Sequence, residues 1–280
     1  MQNGDIMDYK LIALDMDGTV LSPDTTITPD TAESINQALD AGIQVVFCSG
    51  RCAEEIRPYI EPFPKMRYAI CENGCYVLDL KTGEYIDYRG LERWLTDRIM
   101  EEAKRHDVLI QMATGGKYYM QDWTLNRLSE FRLEKYSGLL QETGVFIHDL
   151  VKYYETFDAP ISKINFYCTN MKERSEIIDS LQAENLPLSY VSGLQDNIEM
   201  ISSTAGKGVG LTALCKYLQL SREQVMAVGD NDNDISMLEA AGLAVAMGNA
   251  VPELKAFADV MTEDNAHDGV AAAIRKYVKL

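Results

Sequence analysis

The chain has 280 residues, of which 46% are hydrophobic and 25% are charged, a composition typical of a globular protein rather than a disordered one. Its 43 acidic residues against 26 basic ones give a formal net charge of −17, which disfavours nucleic acid and anionic membrane surfaces as partners. A small phosphorylated partner can therefore bind only where the repulsion between its phosphate and the acidic protein is offset locally. A divalent cation held by carboxylates would offset it.

No apolar run approaches the length that a membrane span needs. The segment Met1–Asp8 has neither the basic nor the apolar region of a secretory signal. We therefore predict a cytoplasmic protein without membrane attachment, present as a monomer or a homodimer.

The first part of the chain alternates short apolar runs with helical patterns. Thr28-Pro29 is typical of a helix start, and Gly42 of the end of that helix. The apolar runs predict three buried strands, at Tyr9–Leu14, Ile43–Cys48 and Tyr68–Cys71, each followed at once by a polar turn. Strands that alternate with helices in this way indicate a parallel sheet.

The pattern changes from about residue 83, where short polar strands mix with long helices. The pair Gly115-Gly116 between two strand-like runs predicts a hairpin, and residues 188–201 predict a second one. The parallel pattern then returns, with a helix at Lys207–Leu218 and a strand at Val225–Val228. We predict an α/β fold, a Rossmann-like doubly wound parallel sheet formed by residues 1–82 and 195–280, with an α+β insert over residues 83–194.

Aspartates follow the first strand, where Asp15 and Asp17 are separated by one residue. Ligands of open α/β sheets bind beyond the carboxyl ends of the strands, and paired carboxylates there suit Mg²⁺. Aspartates are also common turn and cap residues, so this motif alone leaves both interpretations open.

A second acidic cluster contains Asp230, Asp232 and Asp234. It is not an EF-hand, because that loop needs glycine at its sixth position and glutamate at its twelfth, where this chain has Ile235 and Ala241. A helix cap remains the alternative. Lys207 does not belong to a P-loop, because Gly208 follows it where serine or threonine is required.

Taken together, four segments resemble, in order, the four motifs of the haloacid dehalogenase superfamily. They are Asp15-Met-Asp-Gly-Thr-Val20, Ser49-Gly-Arg51, Lys207 and Gly229-Asp-Asn-Asp-Asn-Asp234. The insert is similar to a type IIB cap domain, and the whole chain most resembles the Cof-type sugar-phosphate phosphatases.

The resemblance implies roles for individual residues. Asp15 is the expected nucleophile, and Asp17 the expected general acid and base. Mg²⁺ is expected on Asp15, Asp230 and the backbone carbonyl of Asp17. The expected contacts to the phosphoryl group or substrate are Ser49, Gly50, Arg51, Lys207 and Asn233, and the expected supporting residues are Thr19, Asn73 and Asp234.

The implied function is a magnesium-dependent phosphatase that hydrolyses small phosphorylated metabolites, such as sugar phosphates, through an aspartyl-phosphate. A phosphomutase and a non-catalytic protein that binds phosphorylated metabolites are the alternatives. Specificity is expected from cap residues, and the candidates Tyr118, Tyr119, Trp123 and Arg127 are also explained by core packing.

Overall fold

The structure is a computed structural model that describes residues 8–191 and 197–280. The chain divides into two compact units. The first unit contains the residues up to 51, residues 56–88 and residues 206–280, and the second unit contains residues 52–55 and 89–205.

The described residues form ten α-helices and fourteen strands, joined by short 3₁₀ turns. The strands are β1 Leu11–Leu14, β2 Gln44–Cys48, β3 Tyr68–Cys71, β4 Tyr76–Asp79, β5 Tyr85–Tyr88, β6 Leu109–Thr114, β7 Lys117–Gln121, β8 Gly144–Ile147, β9 Lys163–Tyr167, β10 Leu188–Val191, β11 Asn197–Ser202, β12 Val225–Gly229, β13 Leu243–Ala246 and β14 Val260–Met261. The helices are α1 Pro29–Asp40, α2 Ala53–Ile60, α3 Arg93–Ala103, α4 Ser137–Thr143, α5 Leu150–Glu155, α6 Met171–Gln182, α7 Lys207–Leu218, α8 Ile235–Glu239, α9 Pro252–Phe257 and α10 Gly269–Tyr277.

The first unit is built on a sheet of eight strands in the order β14-β13-β12-β1-β2-β3-β4-β5. The six strands from β14 to β3 are parallel, and β4 and β5 extend the sheet antiparallel. All four residues of β1 are buried, as expected for a central strand that is covered on both faces. The predicted doubly wound α/β core is confirmed.

Local signals in the sequence explain how α1 begins and ends. The Thr28 side chain accepts a hydrogen bond from the backbone N–H of Thr31 at 3.2 Å, and Pro29 occupies the first helical position. Gly42 follows the helix with a φ of +84°, a conformation that glycine adopts without steric strain. In α2 the helix continues past Pro58 and ends two residues later, at Ile60.

The second unit contains a six-stranded sheet in the order β10-β11-β9-β6-β7-β8, antiparallel except for the pair β7–β8. Gly115 and Gly116 join β6 to β7 with φ values of +58° and +77°, which match the two-residue hairpin turn that the sequence predicts. One face of this sheet packs buried apolar residues, among them Ile164 and Phe166, against α3 and α6. The predicted α+β character of the insert agrees with this arrangement.

The limits of the two units follow strand pairing. β5 pairs with β4, so the first unit extends to residue 88 rather than ending at residue 82. β11 pairs with β9 and β10, so the second unit includes it and extends to residue 205. The boundary predicted between residues 194 and 195 lies outside the described residues.

Within residues 8–191 and 197–280, none of the helices combines the length and the apolar character that crossing a membrane requires.

Candidate active site

Four neighbouring strands of the first unit end at one edge of its sheet. In sheet order, β12 is followed by Asp230, β1 by Asp15, β2 by Ser49 and β3 by Glu72. Because these strands are parallel, the loops that follow them lie side by side. The candidate site residues predicted from the sequence therefore lie at this edge.

Three carboxylates meet at this edge. Asp15, Asp230 and Asp234 each place an oxygen within 4.8 Å of the others, and Asp15 and Asp234 are buried. Burial, together with the nearby Asp234, raises the pKa of Asp15 well above its ordinary value. The same two causes raise the pKa of Asp230 to about 6. The cluster thus holds more negative charge than its surroundings neutralise, which favours a bound cation.

Lys207, the first residue of α7, supplies a buried positive charge in this cluster, with 1% of its surface exposed. Its Nζ donates to Asp15 Oδ1 and to Asp234 Oδ1, both at 2.6 Å. Burial alone would lower the pKa of Lys207, but the Asp15 and Asp234 carboxylates outweigh it and raise that pKa. The ammonium group therefore stays charged between the two carboxylates.

Asp234 uses both carboxylate oxygens inside the protein. Oδ1 accepts from Lys207, and Oδ2 accepts from the backbone N–H groups of Asp230 and Asn231 at 3.0 and 3.1 Å. One oxygen of Asp234 is thus engaged with Lys207, which agrees with the supporting role that the resemblance implies.

Asp230 is fixed by the loop after β1. Thr19 Oγ1 donates to Asp230 Oδ1 at 3.0 Å. Gly18 has a φ of +88°, and a Cβ atom there would lie 2.4 Å from Asp230 Oδ2. Only glycine fits this position, because any side chain would displace the carboxylate.

The Asp17 side chain points away from the carboxylate cluster. It accepts two hydrogen bonds from the Arg51 guanidinium, from Nε at 2.9 Å and from Nη2 at 2.7 Å, and it is 55% exposed. Arg51 also lies over the Tyr59 ring, with its Cζ 5.2 Å from the ring centroid. The sequence predicts Arg51 near substrate but does not predict this bidentate pair.

The remaining predicted residues lie in the loops after β2, β3 and β12. Ser49 is buried, and its Oγ accepts from the backbone N–H of Arg51 at 3.2 Å. Asn233 Nδ2 donates to Asn73 Oδ1 at 3.0 Å. Gly50 lies against the same asparagine, since a Cβ atom there would be 3.2 Å from Asn73 Nδ2. All residues predicted for catalysis, metal binding and phosphate binding thus lie in the first unit, in the loops after β1, β2, β3 and β12 or, for Lys207, at the start of α7, whereas the specificity candidates Tyr118, Tyr119, Trp123 and Arg127 lie in the second unit.

The sequence did not predict the left-handed backbone turn that follows β3. Glu72, Asn73 and Gly74 all have positive φ values. A Cβ atom on Gly74 would lie 2.0 Å from the backbone oxygen of Gly206, directly before Lys207. The Asn-Gly pair at the end of β3 was the available signal for this left-handed turn.

Comparison with known proteins identifies the family. The model of the haloacid dehalogenase-like hydrolases matches residues 12–274. The chain belongs to this family. The resemblance to haloacid dehalogenase-type Cof phosphatases that the sequence predicted is confirmed, as is the prediction of a phosphoric monoester hydrolase of this type.

Related proteins align with this haloacid dehalogenase-like hydrolase over nearly their full length. Phosphatase YwpJ of Bacillus subtilis is 30% identical over 279 residues, which cover 94% of this chain and 97% of that protein. The 5-amino-6-(5-phospho-D-ribitylamino)uracil phosphatase YcsE of the same organism is 30% identical over 277 residues, with 97% of each chain covered. A solved haloacid dehalogenase-like hydrolase from B. subtilis has a TM-score of 0.82 and 28% identity, and the match covers 95% of this chain and 99% of that one.

Proposed function

We propose that this hydrolase is a magnesium-dependent phosphatase of small phosphorylated metabolites, such as sugar phosphates, and that it acts through an aspartyl-phosphate on Asp15. The observation that carries the proposal is the position of Lys207 Nζ, 2.6 Å from Asp15 and 2.6 Å from Asp234, with Asp230 in the same cluster. Buried carboxylates gathered around a single ammonium are typical of a site that handles an anion with the help of a cation.

The donor atoms of the cluster fit Mg²⁺. They are carboxylate oxygens, which this hard cation prefers, and the cluster contains neither imidazole nor thiolate groups. Asp15, Asp230 and the backbone carbonyl of Asp17 would hold the ion. When bound, it would offset the negative charge of the phosphoryl group and of the carboxylates around it.

In the proposed mechanism, hydrolysis of the phosphate monoester proceeds in two displacements at phosphorus, which Asp15 and Asp17 carry out. In the first, an oxygen of Asp15 bonds to phosphorus, the bond from phosphorus to the leaving alcohol oxygen breaks, and Asp17 gives that oxygen a proton. In the second, water attacks the same phosphorus, Asp17 accepts a proton from the water, and Asp15 is released together with inorganic phosphate.

The same proposal assigns the charged and polar groups around the phosphoryl oxygens. Lys207 would offset their charge, while Ser49, Gly50 and Asn233 would orient them. Arg51 would exchange part of its contact with Asp17 for the substrate. We also propose the cytoplasm as the location and a monomer or homodimer as the assembly.

The substrate class rests on the relatives. YcsE carries the name of a phosphatase that acts on a phosphorylated ribitylamino-uracil, a small phosphorylated metabolite. We extend to this chain the class, a phosphate monoester of a small polar molecule, and not that particular compound.

The decisive experiment measures inorganic phosphate released from p-nitrophenyl phosphate with Mg²⁺, with EDTA, and after Mg²⁺ is restored. We expect release with Mg²⁺, loss with EDTA and recovery on restoration. Acid-quenched enzyme should carry one phosphoryl group that hydroxylamine removes. Transfer of phosphate to an added sugar without net release would indicate the phosphomutase instead, and binding without turnover would indicate the non-catalytic protein.

A further inference from the structure

Two asparagine side chains hold the loop that follows β1. Asn249, in the loop after β13, donates from Nδ2 to the backbone oxygen of Gly18 at 2.8 Å. Asn265, between β14 and α10, donates from Nδ2 to the backbone oxygen of Leu21 at 2.8 Å. The backbone N–H of Asn265 also donates to Asn249 Oδ1 at 3.1 Å. The two asparagines, which we call the amide clamp, are therefore connected to each other through the backbone of Asn265.

The network fixes the orientation of the Asn249 amide. Its nitrogen faces a carbonyl oxygen and its oxygen faces an N–H group. A flipped amide would place oxygen against oxygen and N–H against N–H, so both contacts would become repulsive. The donor at Gly18 is therefore set by the protein rather than shared between two orientations.

The loop that carries Asn249 is also hydrogen-bonded to the end of β12, at the edge of the sheet where the candidate active site lies. The backbone N–H of Val251 donates to the backbone oxygen of Asp230 at 2.9 Å, and that of Met247 donates to Gly229 at 3.0 Å. One short loop thus contacts the chain at Asp230 and, through the Asn249 side chain, the chain at Gly18. Its position sets the spacing between the loops after β1 and β12.

The hydrogen bond from Asn249 restrains the backbone at Gly18, which is intrinsically flexible and lies next to Asp230. Its φ of +88° and its close approach to Asp230 require glycine, the residue with the greatest backbone freedom. Gly18 directly follows Asp17, whose backbone carbonyl is assigned to Mg²⁺ in the proposed function. Because the Gly18 carbonyl is held from outside, the Gly18–Thr19 peptide is fixed, which limits how far the adjoining Asp17–Gly18 peptide can turn about the flexible Gly18.

We propose that Asn249 and Asn265 are positioning residues of the phosphatase reaction, which fix the Asp15–Leu21 loop so that the Asp17 carbonyl and the Asp15 carboxylate face the same point. This inference rests on the proposed function, which places Mg²⁺ at that point. Neither asparagine is assigned a contact with substrate or metal.

The test uses Asn249→Asp and Asn265→Asp, which keep the size of the side chain but replace the donor with an oxygen that faces a carbonyl oxygen. We expect kcat for p-nitrophenyl phosphate to fall about 10- to 100-fold and the half-saturating Mg²⁺ concentration to rise by a similar factor. KM should change by less than about three-fold, because the phosphate contacts are untouched.

The matched control is Asn36→Asp in α1 of the same unit. Asn36 Nδ2 likewise donates to backbone oxygens, those of Ala32 at 3.1 Å and Pro62 at 3.4 Å, and neither acceptor lies in the loop after β1. This variant should keep the wild-type kcat and Mg²⁺ dependence.

A second measurement does not depend on activity. The backbone N–H groups of Thr19, Val20 and Leu21 donate to oxygens within their own loop. In metal-free protein, their hydrogen exchange should be faster in the two clamp variants than in wild type or Asn36→Asp. If the aspartate variants do not fold, Asn249→Ala, Asn265→Ala and the double variant replace them. The double variant should then lose less than the product of the single losses, because the two side chains hold the same loop.

Clamp variants that fold and keep wild-type kcat, Mg²⁺ dependence and exchange rates would overturn the inference. A failure of the proposed function looks different, because wild-type protein would then release no phosphate with Mg²⁺ or Asp15→Asn would remain active. Hydrogen exchange would still report whether the clamp holds the loop.

Discussion

Each of the two units contains a buried lysine, and the two lysines have different surroundings. Lys207 in the first unit is 1% exposed and lies 2.6 Å from each of two carboxylates, with Asp230 in the same cluster. Lys163 in the second unit is 2% exposed and pairs with Glu199 at 3.1 Å.

Neutral side chains contact the second pair. Asn197 donates to Glu199 at 3.2 Å, and Lys163 lies over the Tyr118 ring at 5.4 Å. Next to the pair, Asn165 donates to Gln111 at 2.7 Å. A buried lysine is thus common to both units, and at Lys207 it lies with three clustered carboxylates, as in the proposed active site. Variants of the two lysines separate burial from charge accumulation.

The largest expected effect comes from removing the charge of the proposed nucleophile. Asp15→Asn should lower kcat by about 10⁴-fold or more while the protein remains folded, because the amide cannot form the aspartyl-phosphate. Phosphate release from p-nitrophenyl phosphate and circular dichroism measure the two properties. Asp232→Asn, an exposed aspartate of the same acidic segment, is the control and should stay active. Undiminished magnesium-dependent release by Asp15→Asn would refute the mechanism.

Lys207→Met should reduce kcat by about 10²- to 10⁴-fold, because the variant loses the ammonium that offsets the phosphoryl charge. Lys163→Met, which removes an equally buried ammonium, should keep kcat for p-nitrophenyl phosphate within about three-fold of wild type. Steady-state kinetics on folded protein test both variants. Equal losses in the two variants would show that burial, and not charge accumulation, is the relevant property.

In the second unit, loss of the buried lysine should change the stability of the protein rather than its activity. Lys163→Met removes the ammonium that pairs with the Glu199 carboxylate and should lower the free energy of unfolding by about 3–5 kcal/mol. The double variant with Glu199→Gln should recover much of that loss. Lys172→Met is the control, since Lys172 is 86% exposed and its pair with Glu176 spans 3.5 Å. Urea unfolding would contradict the prediction if Lys163→Met behaved like Lys172→Met.

The smallest effect is expected at Thr19. Thr19→Val removes the hydrogen bond to Asp230 Oδ1 and should raise the half-saturating Mg²⁺ concentration about ten-fold. Thr19→Ser keeps the hydroxyl and should restore most of the wild-type value. Titration of activity with Mg²⁺ measures the shift. A valine variant with an unchanged Mg²⁺ dependence would show that Thr19 does not orient Asp230.

Much of the first unit could be predicted from the sequence because its signals are local. Each parallel strand is a short apolar run that ends in a polar turn, and the carboxyl ends of parallel strands share an edge. This geometry brings Asp15, Ser49 and Asp230 to one edge of the sheet before any contact is known. The antiparallel strand β5 was not predicted, because its residues are half-buried or exposed and give no clear alternation.

The parts that the sequence did not predict depend on contacts between distant loops. Nothing near Arg51 in sequence indicates that its guanidinium binds Asp17, and nothing near Asn249 distinguishes it from an ordinary loop asparagine. Lys163 begins β9, where its burial follows from pairing with β11. Such contacts require the positions of the loops, which no local pattern specifies.

The order of the segments along the chain has a consequence for biosynthesis. Leu11 of β1 pairs with Val225 of β12, so the ribosome must add roughly 200 residues before the centre of the first sheet can close. The second sheet draws on one continuous stretch, residues 109–202, and can assemble earlier. The nascent protein thus exposes the apolar flank of β1 for most of its translation, and slowing synthesis after residue 205 should lengthen the interval in which chaperones bind it.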